Sequence, residues 1–378
     1  MKAKIVSLFG TRPEVVKLAP VVRALERRSH FQVTNVSSSQ HAHLAHRFAR
    51  QFSVRIDRDL DVMQPDQSPS EVCARVMTKL DPLLAELAPD VLVIQGDTTT
   101  ALAGALAAFH RGIPVAHVEA GLRTDDPLSP FPEEMNRRLI TRVARFHFAA
   151  TEHNAATLAA EGVPAASVAV TGNPIVDALH EILRSTIPSE GLAKLLASVR
   201  GHRLIAMTSH RRENFGAVMA GHFRAVRRFV ERHTDVVVVF PVHPNPNVQR
   251  AAKSELGGAE RIHCIDPLDY PDFIHLLSQA WLLVSDSGGV QEEAPTLRKP
   301  LLVLRENTER PEAVTCGVAR LVGRSAESLE ALLEGAITDI EWFSTVGNAA
   351  NPFGDGQSGE RIAAALEQFL AGGATRPC

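Results

Sequence analysis

Trp281-Leu282-Leu283-Val284-Ser285-Asp286-Ser287-Gly288-Gly289-Val290-Gln291-Glu292-Glu293-Ala294 is the stretch that decides how the chain is read. An apolar run stops at a polar, Gly-rich turn, and a helical pattern follows it. A buried strand that turns into a helix is the repeating unit of open α/β proteins. Ligands bind there because the first helical N–H groups have no intrahelical partner and the strand's carboxyl end opens into a crevice. Gly288 and Gly289 let a phosphate approach the backbone, and Ser287 adds a hydroxyl donor. The glutamates lie about one turn inside the helix, where a carboxylate suits a sugar's vicinal hydroxyls better than a phosphate. The stretch reads as a nucleotide diphosphate site. The plainer alternative is a capped turn followed by two solvated glutamates.

The same plan recurs upstream. Asp90 to Gln95 is a strand bounded by Pro89 and Gly96; Gly96-Asp97-Thr98-Thr99-Thr100 follows, then an Ala/Leu-rich helix and a strand from Val115 to Val118. Ile5 to Phe9 is a first strand, and Pro13 fits the first turn of the helix after it. That places Arg12 and Lys17 where two cations could hold an anion. Further strands are expected at Val33 to Ser37, Val168 to Val170, Leu204 to Thr208, Val236 to Phe240, Ile262 to Cys264 and Leu301 to Leu304. The alternation predicts two doubly wound, Rossmann-like α/β domains facing a central cleft. The expected division is 1–172 plus a returning C-terminal helix, 360–374, against 173–359.

With 378 residues, 45% hydrophobic and 22% charged, the chain has the composition of a soluble globular protein. A net charge of -3 with scattered Arg pairs gives no case for nucleic acid. The apolar run at Ile5 to Phe9 is too short for a signal core or a membrane span, so a cytoplasmic protein without membrane contact is expected. Cys73, Cys264, Cys316 and Cys378 form no CxxC pair, and free thiols are expected. His41, His43 and His46 lack nearby Cys or acidic partners, so no metal site is assigned. Gly354-Asp355-Gly356-Gln357-Ser358-Gly359 matches GxGxxG, but it follows Asn351-Pro352 rather than a strand; a nicotinamide or flavin site is rejected there.

Three acidic positions follow strands or sit in Gly/Pro loops of the first half: Asp97, Glu119 and the pair Glu133-Glu134. Acids at strand ends suit general acid/base work, although each alone is more often a helix cap or a partner for a nearby Arg. Glu133 and Arg137 have the spacing of a helical ion pair. The second half supplies cations instead, among them Arg211, and puts His210, His243 and Arg310 on one rim with Ser287. Singly, each histidine is more often a hydrogen-bonded structural residue.

In order along the chain, GTRPE with Lys17, GDTTT, HVEAGLRT, FPEE, HRREN, PVHPNPN, SDSGGVQEEAP, ERPEAVT and NPFGDG resemble the non-hydrolysing UDP-N-acetylglucosamine 2-epimerases. The resemblance covers nearly the whole chain. It implies the fold of the B-type glycosyltransferases, a homodimer, and interconversion of UDP-GlcNAc and UDP-ManNAc without an added redox cofactor. By position, Asp97, Glu119 and Glu133 match the family's catalytic acids, and His210 and Arg12 match residues near the diphosphate. Ser287, Gly288 and Glu293 match the UDP cradle, with Glu293 as ribose ligand; Lys17, Arg137, His243, Gly289 and Arg310 complete the expected binding set. The implied chemistry couples loss of the C2 proton to departure of UDP from C1, giving a 2-acetamidoglucal to which UDP adds back. The sequence departs from the family's pattern for a second, activating UDP-GlcNAc. Gln40-His41 continues as Ala42-His43-Leu44, and Asp66 stands beside Gln67 where a basic residue is expected, while Arg211, His243 and Glu133 are kept. The departure puts allosteric activation in question. Rival readings are a hydrolysing relative that releases ManNAc, a glycosyltransferase of the same fold and a non-catalytic sugar-nucleotide sensor.

Overall fold

A computed structural model describes residues 2–39, 48–64, 66–124 and 126–371. Gln40 and His41 lie outside the described residues. The first sheet has seven parallel strands: β1 (Ala3–Phe9), β2 (Phe31–Ser37), β3 (Arg58–Asp59), β4 (Val91–Gln95), β5 (Val115–Ala120), β6 (Phe146–Ala149) and β7 (Val168–Val170). They are ordered β3-β2-β1-β4-β5-β6-β7. The second has six: β8 (Arg203–Thr208), β9 (Val236–Pro241), β10 (Ile262–Ile265), β11 (Leu282–Ser285), β12 (Leu301–Val303) and β13 (Ala319–Leu321), ordered β10-β9-β8-β11-β12-β13. The central strands β1, β4, β8, β9 and β11 are runs of Val, Ile and Leu buried on both faces, as strands covered by helices on each side must be.

In both sheets the strand order reverses beside the first strand, between β1 and β4 and between β8 and β11. Chains leaving adjacent strands in opposite directions open a crevice at the carboxyl ends there, and that is where a ligand fits.

The chain divides into two compact units, Met1–Ala178 with Phe353–Cys378, and Leu179–Pro352. The division falls inside helix Pro174–Ser185, so residues 173–178 and 353–359 sit with the first unit. Helix Ser358–Ala371 packs on helix Arg12–Glu26 of that unit. Glu360 pairs with Arg27 and Arg28, and the Phe369 ring stacks on Phe146 at 4.5 Å. The stacked pair contributes more than the exposed ion pairs, which water screens. No helix of the described residues is long and apolar enough to cross a membrane.

Candidate functional site

In the first unit the loops after β1, β4 and β5 are joined by buried side chains. Glu14, 1% exposed, accepts from Gly10 N–H (3.0 Å), Thr11 N–H (2.8 Å), the Thr11 hydroxyl (2.7 Å) and the Thr98 hydroxyl (2.8 Å). It ties the loop carrying Arg12 to the loop carrying Asp97. Burial pushes the Glu14 carboxyl up, against the pull of these donors. Arg12 is exposed at the start of its helix, with the guanidinium 5.6 Å from the centre of the Phe48 ring.

Lys17, read beside Arg12 as a cation for a bound anion, is ion-paired with Glu119. Glu119 also accepts from Gln95 and, at 3.2 Å, from Asn173. Its φ of +66° lies in the left-handed region, where β5 loses register with β6. Such a backbone persists for a glutamate only when its surroundings over-determine it, and it is common at functional sites.

Asp97 accepts from Arg137 Nη1 at 2.6 Å, while Asn136 Nδ2 donates to the Asp97 carbonyl at 2.8 Å. The partner of Arg137 within its own helix, Glu133–Val143, is Glu134, not Glu133. Glu134 is fully buried and accepts from Arg137, from Arg138 Nε at 2.8 Å and from Thr124 N–H at 3.1 Å. Glu133 is left half-buried at the first turn of the helix. Beneath Asp97, the buried His117 Nε2 lies 2.7 Å from the Gly96 carbonyl. Burial pushes its pKa down to about 3, so the neutral ring donates Nε2–H to that carbonyl.

The second unit builds its cluster around Asp286, at the reversal between β8 and β11. Fully buried, it accepts from the Ser209 hydroxyl (2.8 Å), His210 N–H (3.0 Å), Arg211 N–H (3.1 Å) and Asn214 Nδ2 (3.2 Å). One carboxylate therefore shapes the whole loop after β8. The His210 ring, 3.4 Å from Asp286, stacks on His243 with centroids 5.6 Å apart. Glu309 plays the same part for the cations: it pairs with Arg310 (2.6 Å), Arg305 (2.7 Å) and Arg211 (3.5 Å). Burial alone would raise its pKa, but the three guanidiniums hold it well below the usual carboxylate range.

Arg310 also donates to Glu292 at 2.5 Å, and Glu293 accepts from the hydroxyl of Tyr270, the chain's one tyrosine, at 2.7 Å. Both glutamates are buried, so the alternative of two solvated glutamates does not hold. Gly288 leaves room for the guanidinium here: a Cβ would lie 2.8 Å from Arg310 Nη1, so the arginine would have to shift. Gly289 lies one step along, and Ser287 precedes the helix Gly288–Leu297 that both glycines open.

Of the expected second-site residues, Gln67 accepts from Arg75 at 2.7 Å within the first unit, while Arg211 belongs to the Asp286 and Glu309 cluster of the second. Glu14, Asp286 and Glu309 were assigned no role by sequence, whereas Glu134 was flagged together with Glu133. The available signals were the capping-box spacing of Thr11 and Glu14 and the acid directly after β11.

Two all-parallel sheets of Rossmann order, each with a polar cluster at its strand-order reversal, define a GT-B-like α/β protein. Residues 23–367 match the sequence model of the family described as UDP-N-acetylglucosamine 2-epimerase. The UDP-N-acetylglucosamine 2-epimerase of Salmonella typhimurium is 43% identical over 371 residues, 97% of this chain and 99% of that one. The S. aureus MnaA structure with UDP is 39% identical, covers 100% of this chain and 99% of its own, and superposes with a TM-score of 0.91. The Neisseria meningitidis UDP-GlcNAc 2-epimerase bound to UDP-GlcNAc is 36% identical, with coverage of 97% and 100% and a TM-score of 0.90. The chain belongs to the UDP-N-acetylglucosamine 2-epimerase family.

Proposed function

We propose that this protein is a cytoplasmic, non-hydrolysing isomerase that interconverts UDP-GlcNAc and UDP-ManNAc. The observation that carries this reading is the pair of acids Asp97 and Glu119, each held by its own buried cation at the strand ends of the first unit. A glycosyl transfer needs no such set of acids around C2. A base takes the C2 proton as the C1–O bond breaks and UDP leaves, giving the 2-acetamidoglucal. Protonation of C2 from the other face and return of UDP to C1 complete the cycle. Asp97, Glu119 and Glu133 are assigned to proton movement. Arg12, His210, His243, Ser287, Gly288, Gly289 and Arg310 are assigned to the diphosphate as leaving group and nucleophile, and Glu293 to the ribose. Lys17 and Arg137 act on the acids they hold.

A homodimer belongs to the same reading. Phe131, Met135 and Leu139, exposed at one-turn spacing around helix Glu133–Val143, offer an apolar face for it. Sedimentation that returns a monomer at assay concentration would remove that part.

The test is incubation with UDP-GlcNAc in D2O, followed by NMR. Deuterium at C2 of sugar still attached to UDP is expected. Free ManNAc would show a hydrolase, and no exchange in the absence of an acceptor would remove the epimerase reading.

A further inference from the structure

The segment through which the chain leaves the first unit touches one of the acids. Gly172 has a φ of +84°, and a Cβ there would lie 2.7 Å from Ser358 Oγ and 3.2 Å from the Phe353 carbonyl. Only glycine lets the outgoing segment press this closely on the returning one. Asn173 N–H then donates to the Phe353 carbonyl at 2.8 Å. Asp177 accepts from Ser358 N–H at 3.1 Å and Gly359 N–H at 3.0 Å. The two crossings, residues 172–177 and 353–359, are thereby fastened to each other by three hydrogen bonds.

The Asn173 side chain is 1% exposed and is used at both ends. Its Oδ1 accepts from Ile175 N–H at 3.1 Å, and its Nδ2 donates to Glu119 Oε1 at 3.2 Å. Lys17 reaches Glu119 from the first helix, Gln95 from β4, and Asn173 from the crossing. Donors from three separate elements converge on the Glu119 carboxylate and hold it in place.

We propose that Asn173 is a positioning residue for Glu119, with the fastened crossing of residues 172–177 and 353–359 fixing the amide that aims the acid. Its kinetic consequence rests on the epimerase reading; its structural content does not. The competing role is a plain helix cap for Pro174–Ser185, and the substitutions separate the two. Asn173→Ser and Asn173→Asp both keep an oxygen for Ile175 N–H. Neither offers an N–H to Glu119, and the aspartate sets a second carboxylate against it.

In the full-length protein, kcat for C2 exchange is expected to fall about tenfold in Asn173→Ser and about a hundredfold in Asn173→Asp, because a misaimed catalytic group loses rate steeply. KM is expected to stay within about threefold, since ground-state binding is untouched. Wild-type kcat in both variants would overturn the proposal and leave Asn173 as a cap. A second arm is independent of activity. Asn173→Ser, Glu119→Ala and the double variant are unfolded in urea, and the two effects are expected not to add. Additivity would overturn the contact. If the wild type exchanges no C2 proton, the epimerase reading fails while this cycle still decides the proposal.

Discussion

At the end of β4, Asp97 keeps 27% of its side chain open while the Arg137 that grips it keeps 4%. At the end of β8 the order is reversed: Asp286 keeps none, and His210, across the pair, keeps 36%. The Lys17–Glu119 pair of the first unit is buried on both sides, so the reversal concerns Asp97 and the pairs of the second unit. In the first unit, buried Glu134 holds buried Arg137, which holds Asp97 toward solvent. In the second, buried Asp286, Glu309 and Glu292 hold His210, Arg211 and Arg310, all more exposed than their partners. A buried charge is costly unless it is partnered, so the buried member of each pair is committed to holding the other. The partner nearer solvent is the one with capacity left for a ligand. The same topology thus presents the acid of the Asp97–Arg137 pair in one unit and the cations of three pairs in the other.

The largest effect tests the acid half. Asp97→Asn is expected to lower C2 exchange by about two to four orders of magnitude, the range of a lost general acid or base, while UDP affinity by calorimetry changes by less than about threefold. Equal loss of both would mean that the acid serves binding rather than proton movement. Next comes the buried anchor of the other half. Asp286→Ala strands the donors of Ser209, His210, Arg211 and Asn214, and about 3–5 kcal/mol of stability should be lost in urea unfolding. A loss near zero would show that the loop after β8 holds itself, and the comparison would break.

Which polarity each unit presents was only partly legible in the sequence. The long central strands were readable because Val, Ile and Leu runs end at Gly or Pro. Three strands were not anticipated: β3 is two polar residues, β6 carries His147 and β13 carries Arg320. Strand ends located Asp97, Glu119, His210 and Ser287. Spacing could not tell a presented acid from an anchoring one, since that difference is burial, set by other segments. Glu133 and Arg137 have ion-pair spacing, yet Glu134, one residue on, takes the arginine because it faces inward.

Acid stability sharpens the first half further. The folded pKa of His117 is depressed from 6.5 to about 3, so its contribution is intact above 6.5 and is lost as pH falls through that window. Wild type should lose about 1.4 kcal/mol more than His117→Gln for each pH unit between 6.5 and 5, measured by urea unfolding. Parallel curves would mean that the ring titrates alike in both states. The smallest effect tests the cation half. Gly288→Ala forces Arg310 to move although Glu292 and Glu309 pin it, and UDP affinity should fall about fivefold, with exchange at saturating substrate little changed.

The order in which the ribosome makes the chain gives the split first unit a further meaning. Leu179–Pro352 is one uninterrupted stretch and can collapse as soon as it is synthesised. The first unit has by then waited through that whole interval for the Phe353 carbonyl and for helix Ser358–Ala371, whose Phe369 covers Phe146. A chain cut short near Pro352 would carry a finished cation-presenting unit beside an unfinished acid-presenting one. The nascent protein would complete the unit that carries Asp97 and Glu119 last.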